Sequence, residues 1–532
     1  MLTLSKITDI AKATARGGFF LFFGNMSSTV ILAISSILVA RLLGPENYGL
    51  YAVAFVVPQL LIAFSDFGIS PALVRFSASL RAEGEHRKAA GLIRTGTIFK
   101  IILSVVLASA LLLLSDEIAI HILKRPSAGL LIRFTSLLLV GQVVLTTPNS
   151  AFIGLDKTEN SSLLMNVNAV TRAVLSPMLI ILGLGTIGAI LGAGTAAILA
   201  ASFGTAVPLL RTIPALYSKS QGENVAFFQG LRLMVSYGRF LYISSVLLSF
   251  LAQYQTLILV FFVSYGEIGN YTTAMNFSVL MTLLTYPITT SLFPAFSKLD
   301  IVKDRDLVDR MFRFSVKYVA LLVLPASMAL AVLSKDAVST LYGSQYQLAP
   351  SYLTLYTLSF LCAGWGMLVV GNLFNSQGDT KSTFKIGLVG LAISAPLSLV
   401  LTVLYGVTGL IASGLTSSFL STVYGLSLVH RRYAINIDWN SSLRIGLASF
   451  TSALLVYIFL TFVPIHTSIL RLATGGALYL FLFLTSAPLL GAIEKLDIDN
   501  LDTLVKGIPL IYPAAKLILD FEKKILDLSS KL

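Results

Sequence analysis

The chain has 532 residues, of which 56% are hydrophobic and 12% are charged, and its mean hydropathy is +0.85. A soluble domain carries about 25% charged residues, and a soluble fold of this size could not cover so much apolar surface with polar groups. The composition excludes a soluble enzyme and a disordered chain, and it predicts a polytopic membrane protein. The one cysteine, Cys362, excludes a disulfide framework and a cysteine-based metal site, so we expect no cofactor and no metal.

Apolar stretches long enough to cross a membrane recur along the whole chain. A spanning helix needs about 20 mostly apolar residues, and strands of a membrane barrel would alternate with period two. The sequence therefore predicts an all-α fold with about 14 transmembrane helices. These are 18–40, 50–74, 93–114, 129–153, 162–183, 187–210, 240–263, 269–296, 314–334, 351–375, 383–405, 407–429, 443–463 and 468–491.

The distribution of basic residues predicts the orientation. With the N-terminus in the cytoplasm, 30 of the 38 Lys and Arg residues fall on the inner side, 6 fall on the outer side and 2 lie within spans. The positive-inside rule then places both termini in the cytoplasm. Because anionic headgroups and topology explain the net charge of +13, we expect no nucleic-acid partner. The segments 1–17 and 492–532 mix Lys with Leu and Ile at helical spacing, which predicts amphipathic helices on the inner surface.

The sequence repeats weakly at an offset of about 221 residues. Residues 49–51 (GLY) match 269–271 (GNY), and residues 185–199 align without a gap to 406–420 with five identities. Each copy holds six spans, so the copies have the same orientation and form parallel repeats. The predicted architecture is an N-lobe (18–211), a cytoplasmic linker (212–239), a C-lobe (240–431) and two additional spans (443–491). Two lobes that rock about a midplane site are typical of transporters.

Several motifs carry a family resemblance. The run ARLLGPENYGLY (40–51), the run DFGISPALVR (66–75), the glycines that open 185–199 and 406–420, and GDTK (378–381) resemble the polysaccharide biosynthesis transporter family. This oligosaccharide flippase family belongs to the multidrug/oligosaccharidyl-lipid/polysaccharide exporter superfamily, and the resemblance covers about residues 16–430.

The resemblance implies a flippase rather than an enzyme. Its substrate would be an oligosaccharide linked to a polyprenyl phosphate or pyrophosphate, moved by alternating access across the plasma membrane of a prokaryote. The product would serve surface polysaccharide or glycoprotein synthesis. The implied partners are membrane lipids, polysaccharide-assembly proteins and a coupling H⁺ or Na⁺, and the implied state is a monomer. One departure is Gln255, which stands where many members carry an acid and so argues against ion coupling at that position.

Charged residues within spans are the first candidates for substrate binding, because a charge at membrane depth usually faces a water-filled cavity. Arg172 lies about ten residues into the fifth span, and arginine binds phosphate bidentately; the alternative is a structural bond. Lys100, in the third span, either serves the cavity or extends to the inner surface. Arg41 and Arg75 lie at the ends of the first and second spans. They act either as gate residues or as interface anchors.

Polar groups at depth are the second set of candidates. Asn25 in the first span and Gln253 and Gln255 in the seventh lie on corresponding spans of the two repeats, so they could face one another across a cleft or bond between helices. Asp66 is followed by Gly68 and Pro71, which predicts a broken helix. It either caps that break or couples a proton or sodium ion.

Two other functions fit part of the sequence. A small-molecule or multidrug antiporter of the same superfamily would share the fold, but cavity cations without an obvious acid favour an anionic substrate. A membrane-embedded polysaccharide polymerase is less favoured, because the predicted outer loops are too short to form a domain for sugar chemistry.

Overall fold

All regular structure in the described residues is helical, which confirms the predicted all-α class. The computed structural model describes residues 4–207, 225–301, 303–506 and 512–529. The helices are α1 Leu4–Phe64, α2 Ile69–Ala82, α3 His86–Glu117, α4 Gly129–Gly154, α5 Thr158–Leu179, α6 Gly185–Val207, α7 Phe227–Phe262, α8 Tyr265–Asn276, α9 Ser278–Ser297, α10 Arg305–Val332, α11 Ser334–Leu341, α12 Ala349–Thr357, α13 Met367–Ser376, α14 Thr380–Tyr433, α15 Trp439–Phe462, α16 Ser468–Leu489, α17 Lys495–Lys506 and α18 Tyr512–Ser529.

Eight helices among the described residues are long and apolar enough to cross a membrane, or nine if the bent pair of α12 with its 3-10 extension and α13 forms one span. Three of these segments have 48, 49 and 54 residues. At a rise of about 1.5 Å per residue, each is long enough to cross a core of about 30 Å twice. Multiple membrane crossings are therefore clear, while the exact number of fourteen stays a prediction.

Glycines interrupt these long segments at positions related by the sequence repeat. Gly185 has φ 50° and ψ −132°, and Gly406, which lies 221 residues later, has φ 59° and ψ −136°. Residues with a Cβ are strained in this region of the backbone map, so only glycine adopts it readily. The two copies thus turn from one span into the next with the same backbone geometry. The predicted repeat is therefore visible in the structure.

The described helices group into two compact units, Met1–Thr272 and Thr273–Leu532. The seventh predicted span, 240–263, groups with the first unit. In the second unit, one cluster of buried side chains joins α9, α10, α13 and the end of α14 around Phe296, Phe312 and Phe374, and a second cluster joins α10, α15 and α16. The residue boundaries of the two lobes, the linker and the additional spans stay predictions.

In the first unit, the start of α8 packs against the middle of α1 through two glycines of the repeat. A methyl group at Gly49 would overlap the carbonyl oxygen of Tyr265, and one at Gly269 would overlap that of Pro45. Both pairs of equivalent residues, 49 with 269 and 45 with 265, are 220 apart. The contact is therefore reciprocal, as at a two-fold axis. We refer to it below as the glycine seam.

The C-terminal tail forms two helices that pack on the second unit. Ile498 of α17 and Leu519 of α18 are buried in the cluster that contains Ile445 of α15. Lys317 of α10 forms a buried ion pair with Asp497 of α17, with 2.6 Å between Nζ and Oδ2. One face of the tail is therefore covered by protein, and its predicted place on the inner membrane surface stays a prediction. The side chains of 1–16 lie outside the described residues.

Packing of α18 should depend on pH through Glu522, which is 3% exposed. Burial, and secondarily the charge of Asp497, raises the pKa of this carboxyl from 4.5 to about 7. The packed helix therefore binds the proton more tightly than the released helix does. Its packing is strongest below pH 4.5 and weakens as the pH rises through 7. We expect hydrogen exchange of α18 amides to be up to about 100-fold faster at pH 8 than at pH 5, after correction for intrinsic rates.

The control is Glu522→Gln, which cannot ionise and should keep α18 protected at both pH values. Exchange in α4, a helix of the first unit, serves as the internal reference. Equal pH dependence in the wild type and in Glu522→Gln would show that another group governs the packing of the tail.

Candidate functional site

The first unit encloses a cavity of about 560 Å³ between α1, α2, α4 and α5. Helix α5 contributes Met165, Asn168 and Arg172, which recur at intervals of three and four residues and so share one face. Helix α4 presents a similar face opposite. The volume falls within the range of about 300–1,000 Å³ that is typical of ligand pockets.

The cavity wall combines polar and apolar side chains. Apolar residues such as Leu32, Phe55 and Leu145 form the remainder of the lining. Among the described lining residues, the polar ones are Gln59, Ser70, Gln142, Thr146, Asn149, Ser150, Asn168 and Arg172. Arg172 is the one charged residue of this lining. The wall therefore offers one positive charge and four amide groups, each of which both donates and accepts hydrogen bonds.

Two side chains of α5 dominate the chemistry of the wall. The Arg172 guanidinium donates from Nη2 to the hydroxyl of Tyr51, at 3.0 Å, which orients it along the wall. Asn168 is 7% exposed, and its Oδ1 accepts no hydrogen bond from any described residue. An unsatisfied buried acceptor costs about 1–3 kcal/mol. An anionic group bound in the cavity would neutralise Arg172.

Lys100 is buried in an ion pair with Asp66, whereas its depth in the span suggested a side chain that serves the cavity or extends to the inner surface. Its side chain is 1% exposed, and Nζ donates to Asp66 Oδ1 at 2.8 Å. The same carboxylate accepts a hydrogen bond from Ser70, which lines the cavity. Lys100 therefore neither extends to the surface nor lines this cavity. The carboxylate of Asp66 compensates the charge of the buried ammonium, so the side chain does not have to reach water.

Asp66 stands at the predicted break between α1 and α2. Phe67 and Gly68 have φ values of 48° and 75°, and the Gly68 backbone lies so close to Gly238 of α7 that a side chain would not fit. The Tyr242 hydroxyl of α7 donates to the carbonyl of Phe64, at 3.0 Å. The ion pair with Lys100 thus ties the broken segment to α3. This contact favours a structural role for Asp66 over ion coupling.

Asp66→Asn should destabilise the protein strongly, because it leaves the Lys100 ammonium buried without a countercharge. The expected loss is about 3–5 kcal/mol of unfolding free energy. Asp66→Asn/Lys100→Met removes both charges and should recover most of that loss. The measurement is thermal unfolding of the detergent-purified protein.

The matched control is Asp116→Asn, which breaks the exposed pair of Asp116 with Arg133. Exposed pairs contribute about 0–1 kcal/mol, so this control should change little. If Asp66→Asn is as stable as the control, the buried pair does not hold the break.

The other predicted site residues lie outside the cavity lining. Asn25 is exposed on α1, and Gln255 is half-buried on α7. Gln253 donates to Gln59 of the cavity wall, at 3.3 Å, which places it immediately behind the lining. Arg75 and Arg41 are exposed, and the guanidinium of Arg75 lies 4.4 Å from the ring centre of Tyr237. Their roles as substrate ligands or gates stay predictions.

The sequence reasoning missed the amide groups of the cavity. Gln59, Gln142, Asn149 and Asn168 are uncharged, and such residues often bond between helices without binding a ligand. The spacing carried a usable signal, since Asn168 and Arg172 are four residues apart on one helix. In the described part of the chain, no group of three or more His, Cys, Asp or Glu side chains could hold a metal ion.

The fold is that of a multi-pass membrane protein, and its first unit holds a cavity with polar side chains in its wall. The pattern of the polysaccharide biosynthesis protein family matches residues 38–351. The chain belongs to that family, which confirms the resemblance seen in the motifs.

Two curated relatives are similar over part of their length. The "Probable low-salt glycan biosynthesis flippase Agl15" of Haloferax volcanii is 19% identical over 278 residues, covering 52% of this chain and 58% of that protein. The "Succinoglycan biosynthesis transport protein ExoT" of Rhizobium meliloti is 25% identical over 327 residues, covering 60% and 61%. The chain thus matches about three-fifths of each relative.

Solved structures share the fold at low sequence identity. The lipid II flippase MurJ in an inward closed conformation superposes with a TM-score of 0.67 at 16% identity, over 87% of this chain and 98% of that one. An inward-facing multidrug resistance MATE family transporter of the MOP superfamily superposes with a TM-score of 0.63 at 16% identity. The match covers 76% of this chain and 94% of that one. These likenesses show that the chain shares the fold of both structures.

Proposed function

We propose that the protein is a flippase that moves a lipid-linked oligosaccharide across the plasma membrane of a prokaryote by alternating access. The observation that carries this proposal is the polar cavity of the first unit, with Arg172 as its charged group, in a chain of the polysaccharide biosynthesis family. A phosphate or pyrophosphate cannot cross hydrocarbon without a cation and hydrogen-bond donors. The names of the two curated relatives, a flippase and a transport protein, support the proposal and give no support to an enzyme.

The partners follow from this function. The carrier is a polyprenyl phosphate or pyrophosphate, the surroundings are membrane lipids, and polysaccharide-assembly proteins supply and use the glycan. A monomer suffices, because the cavity is enclosed by residues of one chain. The pairing of Asp66 with Lys100 argues against coupling to H⁺ or Na⁺ through Asp66.

A small-molecule antiporter is the second candidate, because the multidrug resistance MATE transporter shares the fold. The charge of the cavity distinguishes the two functions. Arg172 attracts an anion and repels the cationic drugs that an acidic cavity would attract. This favours the flippase.

The experiment is glycolipid analysis of a deletion strain, comparing intact with permeabilised cells. The proposal predicts that a lipid-linked oligosaccharide accumulates on the inner leaflet and that the surface glycan disappears. Restoration by the wild-type chain is the control. Normal surface glycan in a strain that lacks every paralogue would overturn the flippase and favour the antiporter.

Topology gives a separate prediction. Because most basic residues fall on one side of the predicted spans, tags at both termini should be protected from added protease in right-side-out vesicles and digested after permeabilisation. A tag placed between residues 335 and 350, in a predicted outer loop, is the positive control for access. Digestion of either terminal tag in sealed vesicles would mean that the number of spans or the orientation is wrong.

A further inference from the structure

The amide groups of the cavity wall suggest what kind of molecule it binds. Gln59 comes from α1, Gln142 and Asn149 come from α4, and Asn168 comes from α5. Amides from three helices thus converge on one space. Asn168 is buried, with an acceptor oxygen that no described residue satisfies. That oxygen itself has almost no accessible surface, so what the cavity offers a ligand is the amide surface that the four residues present together.

Sugar rings match this wall in two respects. Their hydroxyls both donate and accept, so they pair with amides at several positions. Their C–H faces are apolar, and Phe55 offers a ring to the same cavity, held by Tyr51 with 4.5 Å between ring centres. A purely apolar drug would remove water from the amides and from Arg172 without offering hydrogen bonds in return, which argues against such a ligand.

Arg172 adds one anion-binding group beside the amides. It lies four residues after Asn168, which separates the two by about 6 Å along the helix axis. That distance is comparable to the width of one sugar ring. A guanidinium can form a bidentate pair with two oxygens of a phosphate or with the two oxygens of a carboxylate. With one cation in the described lining, the cavity is suited to one anionic group and not to two.

We infer that this cavity is a saccharide subsite, in which the amides bind the hydroxyls of one sugar and Arg172 binds a single anionic group next to that sugar. The inference rests on the proposed flippase function and gives its binding site a chemical identity. The anionic group is either the carrier's phosphate or the carboxylate of an acidic sugar. Both sources present the same chemistry to the guanidinium.

The test measures binding of soluble probes to the full-length protein in lipid nanodiscs by calorimetry. The probes are glucose, inorganic phosphate, glucose 1-phosphate, glucuronic acid and a glucose-linked diphosphate. We expect at least one of the two singly anionic sugars to bind at least tenfold tighter than glucose and than inorganic phosphate. Preference for glucose 1-phosphate would identify the carrier's phosphate as the anionic group that Arg172 binds. Preference for glucuronic acid would identify the carboxylate of an acidic sugar instead. The diphosphate should bind no tighter than the monophosphate.

Variants separate the two halves of the subsite. Asn168→Leu, or Asn168→Ala where leucine prevents folding, should lower the affinity for the anionic sugars at least tenfold. The affinity for inorganic phosphate should not change. Arg172→Gln should abolish the preference for anionic sugars over glucose. Arg133→Gln, at an exposed ion pair outside the lining, is the matched control and should bind all probes normally.

Flipping of a lipid-linked glycan by the same preparation is measured in parallel. If the wild type flips but no sugar binds better than inorganic phosphate, or if the cavity variants bind normally, the subsite is overturned and the flippase stands. If the wild type binds anionic sugars but flips no lipid-linked glycan while the deletion strain keeps its glycan, the flippase is overturned and the saccharide subsite stands.

Discussion

Arg172→Ala should abolish flipping while the protein remains in the membrane at wild-type abundance. Arg172 is the one charged residue among the described lining residues, and within the described part of the chain its hydrogen bond is to a neutral hydroxyl, that of Tyr51. Its removal therefore leaves no buried countercharge behind and should cost little stability. A desolvated ligand anion that loses its cation forfeits about 2–5 kcal/mol, and every 1.4 kcal/mol is tenfold in affinity. We expect flipping to fall at least 30-fold.

Arg172→Lys keeps the charge but loses the planar guanidinium that donates two hydrogen bonds at once, so it should retain part of the flipping activity. Tyr51→Phe removes the hydroxyl that accepts from Arg172 and should have a smaller effect than either change at Arg172. The measurement is restoration of surface glycan in the deletion strain, normalised to membrane abundance by quantitative blotting. Arg133→Ala is the control, because it removes an arginine outside the cavity. Wild-type restoration by a properly inserted Arg172→Ala protein would exclude Arg172 from the substrate path.

Charge within a span selected both Arg172 and Lys100 from the sequence, and the structure gives the two cations different surroundings. Both are cations inside apolar stretches, and hydropathy alone treats them alike. What separates them is the partner: Asp66 lies 34 residues earlier on another helix, and only the packing of α3 against the break at 65–68 brings the two together. Sequence patterns give the depth of a charge, but they do not give its neighbours on other helices.

The repeat was the most informative part of the sequence. An alignment of two fifteen-residue stretches with five identities predicted equivalent turns, and the backbone angles of Gly185 and Gly406 agree within about 10°. Glycine at such a place is required by conformation, so it marks geometry directly. Amide side chains carry no such constraint. The cavity wall was therefore not predicted, although its residues lie at helical spacing.

The glycine seam leads to the second large effect. Gly49→Ala and Gly269→Ala should each abolish flipping, because an added methyl overlaps a backbone carbonyl of the opposite helix. A carbonyl in a helix cannot rotate away as a side chain can, so the start of α8 and the middle of α1 must separate. Overpacking of this kind costs about 1–3 kcal/mol or more. We expect a fall of at least tenfold in flipping and a lower midpoint of thermal unfolding.

The reciprocity of the seam makes this prediction sharper than a single substitution could. Once one methyl has forced the helices apart, the second meets less resistance, so the double variant should be destabilised by less than the sum of the single variants. Gly414→Ala is the matched control: it lies within helix α14, where a methyl meets nothing within 4 Å, and it should flip normally with equal or higher stability. Strict additivity would mean that the two glycines act independently. Normal flipping by both single variants would mean that the helices do not need this close contact at any stage of transport.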